Sequence, residues 1–271
     1  MSRLNRTASS VFVFAAAASA VIPFVAVAMA ALQAPGSITT GFSWPSHPHW
    51  DNFAQAWSVA GFSNLFRSSA IVALVVVPIG VTFATMGGYA LGAMKMRGSV
   101  GLLGLFLVGL TMPYEAIVIP LYYGFRSVGL LDTHWALILP LTGAFMPFGV
   151  FWMRNHFLSL PPSLSEAAQV DGANAWQVFR RVMLPTARPA ISTLALLYFM
   201  WAWNQFLLAL IMIQDASKRT APAGLGQFIT QYGKDIPLLS AATLLVIVPI
   251  VIVYLFFQRQ FVQGILQGAV K

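Results

Sequence analysis

Cysteine is absent from the 271 residues and charge is scarce, with Asp, Glu, Lys and Arg together making up 8% of the chain. The first absence excludes disulfides and thiolate metal sites. The second excludes a water-soluble globule. A soluble domain normally carries about 25% charged residues, and so few cannot cover a surface that faces water. They suffice where most of the surface faces lipid. A phosphate-cradling Gly-x-x-x-x-Gly-Lys-Ser/Thr loop is also missing. The four lysines are Lys95, Lys218, Lys234 and Lys271, and none follows the required glycines. Any ATP that drives this protein must therefore be bound by another chain.

Apolar residues make up 58% of the chain. A bilayer core about 30 Å thick needs about 20 of them in a helix rising 1.5 Å per residue. Six segments meet that requirement, roughly 9–32, 68–94, 99–121, 135–157, 188–213 and 239–258. The reading is an all-α membrane protein of six transmembrane helices. Pro78, Pro113, Pro120, Pro140, Pro147 and Pro249 fall inside these segments. Prolines are tolerated there when neighbouring helices satisfy the freed carbonyls, so they point to a packed bundle. Gly87, Gly88 and Gly92 include a small-xxx-small pattern that lets helices approach closely.

The formal net charge is +8. On a soluble protein this would suggest nucleic acid, but on a membrane chain basic residues hold cytoplasmic loops in place. With the N-terminus inside, Arg3, Arg6, Lys95, Arg97, Arg154, Arg180, Arg181, Arg188, Arg259 and Lys271 are cytoplasmic. Only Arg67, Arg126, Lys218, Arg219 and Lys234 then lie outside. This asymmetry, with an even number of spans, puts both termini in the cytoplasm. Arg3 and Arg6 ahead of the apolar run Val11–Leu32 resemble a signal peptide, but the run is long enough to span a bilayer and is read as a retained helix. The chain divides into an N-terminal helix and outward loop (1–67), a core of five helices (68–260) and a cytoplasmic tail (261–271). The core carries a cytoplasmic loop at 158–187.

That loop holds the most specific signal. Ser163 with Glu166 reads as a capping box opening a short helix, and Gly172 can take the left-handed conformation that closes it. Asn174 with Gln177 can cap a second helix, and Pro185 is expected to stop it. The second helix places Trp176, Phe179 and Met183 at one-face spacing. Such a stripe either docks a partner or packs beneath its own bundle.

Glu166-Ala167-Ala168, three residues, Gly172, nine residues, then Val182-Met183-Leu184-Pro185 resembles the "EAA" loop of ABC-importer permeases. Val182 is the one departure, and it is conservative. The likeness is nearest to maltose-type and glycerophosphodiester-type permeases. It extends through Gly88-Tyr89-Ala90-Leu91, Met112-Pro113, Ile119-Pro120-Leu121-Tyr122, Gly129-Leu130-Leu131-Asp132-Thr133, Trp203-Asn204-Gln205-Phe206-Leu207 and the tail Phe261-Val262-Gln263-Gly264. The first sixty residues match less specifically.

The resemblance implies a type I permease bundle in the inner membrane. Its coupling loop would use Glu166, Ala167, Ala168, Asp171, Gly172, Trp176, Phe179, Leu184 and Pro185 to dock on an ATP-binding subunit. It further implies a homologous second permease, two copies of the ATPase and an extracytoplasmic solute-binding (lipo)protein. ATP and Mg would belong to the ATPase, with no cofactor in this chain. An ion-driven secondary transporter and a non-transporting scaffold are the competing readings.

Glu115 is the one acidic residue well inside an expected span, so it should face the bundle interior or a wet cavity. It either lines the solute pathway or bonds backbone broken at Pro113 or Pro120. Trp201, Trp203 and Asn204 offer stacking and hydrogen bonding to a sugar, or else pack helices. His47-Pro48-His49 lacks the further ligands of a metal site. Asn5-Arg6-Thr7 matches a glycosylation sequon but lies on the expected cytoplasmic side.

Overall fold

The computed structural model describes residues 3–38, 42–94, 96–230 and 233–269. Lys95 and Lys271, two of the basic residues used to orient the chain, lie outside the described residues, as do the side chains of Arg3, Arg6, Lys234 and the tail 261–269. The long helices are α1 (Arg3–Ala31), α3 (Phe62–Gly92), α6 (Trp135–Ser159) and α11 (Ile236–Ala269). Each contains a stretch long and apolar enough to cross a membrane. Between them lie α2 (Asp51–Ala60), α4 (Ser99–Thr111), α5 (Tyr114–Ser127), α7 (Ser163–Val170), α8 (Ala175–Thr186), α9 (Arg188–Trp203) and α10 (Leu207–Met212). The pairs α4–α5 and α8–α9 are bent by 96° and 74°, and the spans number up to six if each bent pair is one.

The described chain forms two units that interleave in sequence. The first comprises 1–63 and 224–248. From Val11 onward α1 is largely apolar on every side, and its residues are exposed from Ser10 to Val25, the pattern of a helix that meets lipid. The end of α1 is closed by Asn52, whose Nδ2 donates to the carbonyls of Ala31 and Gln33, each at 2.8 Å. Gly61, at φ +64°, ends α2 in the left-handed conformation. The short strands β1 (Ile229–Thr230) and β2 (Gly233–Lys234) pair antiparallel, with Ile229 opposite Lys234.

The second unit comprises 64–223 and 249–271. One apolar cluster joins Val72 and Val76 of α3, Leu137 and Leu141 of α6, and Leu208 and Met212 of α10. A second joins Ala84 and Leu91 of α3, Val150, Met153 and Phe157 of α6, Phe179 and Met183 of α8, and Leu194 and Tyr198 of α9. The expected glycine contact is made between α3 and α6. A Cβ on Gly88 would lie 2.7 Å from the Arg154 nitrogen and would overlap Met153, and one on Gly92 would lie 2.9 Å from the Arg154 carbonyl oxygen.

Two expected spans differ from continuous helices. The span at 99–121 breaks at Met112, which is extended (ψ 123°) because Pro113 follows and disfavours the helical conformation in its predecessor. The span at 188–213 breaks after Trp203. There Gln205 Oε1 accepts the Leu208 N–H at 3.2 Å, and the Thr220 hydroxyl donates to the Gln205 carbonyl at 2.6 Å. Backbone broken at membrane depth needs such partners. Helix α3 also begins at Phe62 rather than Ser68, because Phe62 and Leu65 are already buried.

Candidate functional site

The loop 158–187 folds as a helical elbow. Helix α7 runs from Ser163, but Ser163 does not cap it. The N-cap position belongs to Pro162, and no side chain bonds there. Proline fixes φ near its helical value, so the helix is set one residue earlier than the capping box would place it. The Pro161 and Pro162 carbonyls receive the amides of Leu164, Ser165 and Glu166 directly. Glu166 thereby lies in the first turn, exposed, where the positive end of the helix favours a carboxylate. None of α7 is buried, and Val170 is 88% exposed.

Gly172 has φ +84° and turns the chain between the two helices. Helix α8 opens with the expected capping box. The Gln177 N–H donates to Asn174 Oδ1 and the Asn174 N–H to Gln177 Oε1, both at 2.9 Å. Pro185 does not stop α8. The helix widens to a π-helix over Val178–Met183, and the Leu184 N–H reaches back five residues to the Phe179 carbonyl. The register therefore changes just before a residue that has no N–H to give, and the helix runs on to Thr186.

The same widening divides the aromatic stripe. Phe179 is 7% and Met183 3% exposed, both within the bundle, whereas Trp176 is 56% exposed. Phe179 and Met183 thus pack beneath the bundle, and Trp176 stays open. The Phe179 ring lies 4.8 Å from that of Tyr89 on α3, and Tyr89 lies 5.4 Å from Phe157 on α6. Leu184 is half-buried and Pro185 exposed. Ala167 and Asp171 are exposed, with Ala168 half-buried.

The membrane candidates separate. Glu115 is exposed in the first turn of α5, next to the 96° bend. No hydrogen bond or ion pair holds it among the described residues, so it does not repair the broken backbone. Trp201 is part-exposed and its ring packs on Phe148 at 5.0 Å and Phe145 at 5.4 Å. Trp203 is buried, stacked on Phe199 at 5.6 Å and edge-on to Phe66 at 5.7 Å, a packing position rather than a lining one. Asn204 is exposed at the end of α9. Between α1 and α2, His49 Nδ1 lies 3.8 Å from Asp51 Oδ1, and no metal-holding group of three His, Asp or Glu occurs among the described residues.

Sequence reasoning missed a clamp between distant loops. Asp132 takes φ +61°, its N–H donates to the Met212 carbonyl at 3.0 Å, and its carboxylate receives the Asp215 N–H and the Lys218 ammonium. The signal was present in Gly129-Leu130-Leu131-Asp132, but its partners lie eighty or more positions away.

The family described as "Binding-protein-dependent transport system inner membrane component" matches residues 80–267. The chain is 35% identical over 99% of its length, and 89% of the relative, to a protein of Bacillus subtilis named probable ABC transporter permease protein YurM. It is 33% identical to the diacetylchitobiose uptake system permease protein NgcG of Streptomyces coelicolor, over 93% of this chain and 84% of that one. Among solved structures it is similar to a chain of a bacterial ABC transporter involved in the import of the acidic polysaccharide alginate. The TM-score is 0.79 at 23% identity, covering 96% of this chain and 99% of that one.

Proposed function

The chain belongs to the binding-protein-dependent transport system inner membrane components, and we propose from that premise that it carries a saccharide or saccharide-like solute. It is a multi-pass permease of the inner membrane, a transport subunit rather than an enzyme. The sugar class is supported by relatives named for diacetylchitobiose, arabinooligosaccharide and trehalose transport. In this reading both termini face the cytoplasm, as the basic residues suggest. The chain pairs with a second permease, sits on two ATP-binding subunits that hold ATP and Mg, and receives solute from an extracytoplasmic binding protein.

The exposed elbow carries the reading. Helix α7 offers Glu166, Ala167 and Val170, all exposed among the described residues. Helix α8, in contrast, is anchored by Phe179 and Met183. A partner gripping α7 therefore moves α8, and α8 bears on α3 and α6 through Phe179, Tyr89 and Phe157. The close packing at Gly88 and Gly92 makes α3 and α6 follow together. ATP-driven closure of the ATPases would bring the two permeases' elbows together and rotate the bundles between inward- and outward-facing states. Only a partner that binds one state better than the other in its ATP-bound form can drive that change.

The test is Gly172→Val. Nothing lies within 4 Å of a Cβ at Gly172, so the cost is confined to the left-handed backbone, on the order of 1–2 kcal/mol. The variant should assemble less well with the ATPase or hydrolyse ATP without solute uptake, while Gly172→Asn, which tolerates this conformation, should remain coupled. Unchanged uptake and assembly in the valine variant would remove the docking role.

A further inference from the structure

Arg180 and Arg181 take no part in the anchoring of α8, and among the described residues neither forms an ion pair. Both are exposed, and with Trp176 and Gln177 they line a concavity of about 320 Å³. The π-helix builds it, because a widened turn brings residues four and five positions apart over one another. Residues 176, 180 and 181 therefore share one rim. Gln177 Oε1 is occupied by the Asn174 N–H, which leaves its Nε2 as a donor.

The bend sets the direction of the α8 axis. Helix α8 meets α9 at 74°, and α9 packs in the bundle through Leu194 and Tyr198. Spans tilt on average about 20° from the bilayer normal, so α8 runs near the membrane plane. The face of α8 formed by Val178, Phe179 and Met183 is buried in the bundle. What stays open is an in-plane rim of two guanidiniums, an indole and an amide, the composition of an interfacial helix. Glu166 and Asp171, the acidic residues nearest in sequence, bridge to neither arginine.

We propose that Arg180, Arg181, Trp176 and Gln177 form a binding site for the phosphate headgroup of an anionic phospholipid at the membrane surface. Each guanidinium presents a planar fork that matches phosphate oxygens, Gln177 adds an amide donor, and Trp176 adds an exposed indole, a ring that favours the membrane interface. The bound lipid would hold the elbow helix against the bilayer while α7 remains free for its partner. The site does not depend on the identity of the transported solute, and Trp176 is the residue it shares with the docking surface.

The permease in its purified complex is placed in phosphatidylcholine nanodiscs and titrated with brominated phosphatidylglycerol or brominated phosphatidylcholine. The Trp176 contribution to fluorescence is isolated by difference from Trp176→Phe. Two surface arginines should give a preference for the anionic lipid on the order of tenfold, and equal quenching by the two lipids would overturn the site. Arg180→Gln with Arg181→Gln should abolish the preference, whereas the corresponding Lys pair should retain it. A preference that survives the Gln pair overturns the assignment. Inorganic phosphate in solution should leave the quenching unchanged, and displacement by it would make a soluble anion the occupant instead. If the Gln pair releases the ATPase during purification but is quenched as before, the arginines belong to docking and the lipid site falls.

Discussion

Asp132 and Lys218 form an ion pair at 3.2 Å across 86 positions of sequence. The pair ties the turn between α5 and α6 to the segment that follows α10. The Asp215 amide donating to Asp132 at 2.9 Å completes the tie.

That amide, with the Lys218 ammonium, holds the Asp132 carboxyl below its ordinary value of 3.8, and Asp132 in turn holds Lys218 above 10.5. The carboxylate's contribution is fully present above pH 3.8 and lost as pH falls through its lowered folded value. The ammonium's is fully present below pH 10.5 and lost as pH rises through its raised one. Amide hydrogen exchange at Asp215 and Ser217 should therefore be slow from about pH 4 to about pH 10 once intrinsic rates are removed. Asp132→Asn should raise exchange there, and Asp132→Val should raise it further, because a β-branched residue resists φ +61°.

Gly149 and Tyr198 form a second coupled pair. The buried Tyr198 hydroxyl donates to the Phe145 carbonyl at 2.6 Å. A Cβ on Gly149 would overlap that hydroxyl and lie 2.7 Å from Ala84 Cβ. Tyr198→Phe should cost about 1–2 kcal/mol, and Gly149→Ala more. The double variant should be less destabilised than the sum, since removing the hydroxyl clears part of the overlap. Thermal unfolding in detergent measures all three, and strict additivity would contradict the contact.

Gly88 and Gly124 should differ sharply although both are helical glycines. Gly88→Val must part α3 from α6 at Met153 and Arg154, whereas a Cβ on Gly124 meets nothing within 4 Å. Gly88→Val should abolish folded protein in gel filtration, and Gly124→Val should leave the elution profile unchanged.

Phe179→Ala and Trp176→Ala should separate stability from assembly. The first empties a place in the bundle and should cost about 3 kcal/mol. The second removes an exposed ring and should leave the melting temperature within a degree or two of the parent's, about the scatter expected for a surface change. The Trp176 variant should nonetheless bind the ATPase more weakly, as read by co-purification.

Sequence alone determined the solvent in which this protein lives. Scarce charge and six long apolar runs leave no other choice, because a bilayer selects on length and hydropathy, both of which are local properties. The same locality made the Asn174–Gln177 cap, the left-handed Gly172 and the Gly88 contact patch legible, since each depends on neighbours within a few residues or on the lack of a side chain. Tertiary structure decided the rest. Whether Phe179 or Trp176 meets the bundle depends on a π-turn that sets Phe179 against Tyr89 of another helix. The burial of Trp203 depends on Phe66, a residue of another helix, and the grip of Asp132 on Lys218 joins two loops that no periodicity connects. Contacts between remote segments leave no periodic trace, so only the folded chain reveals them.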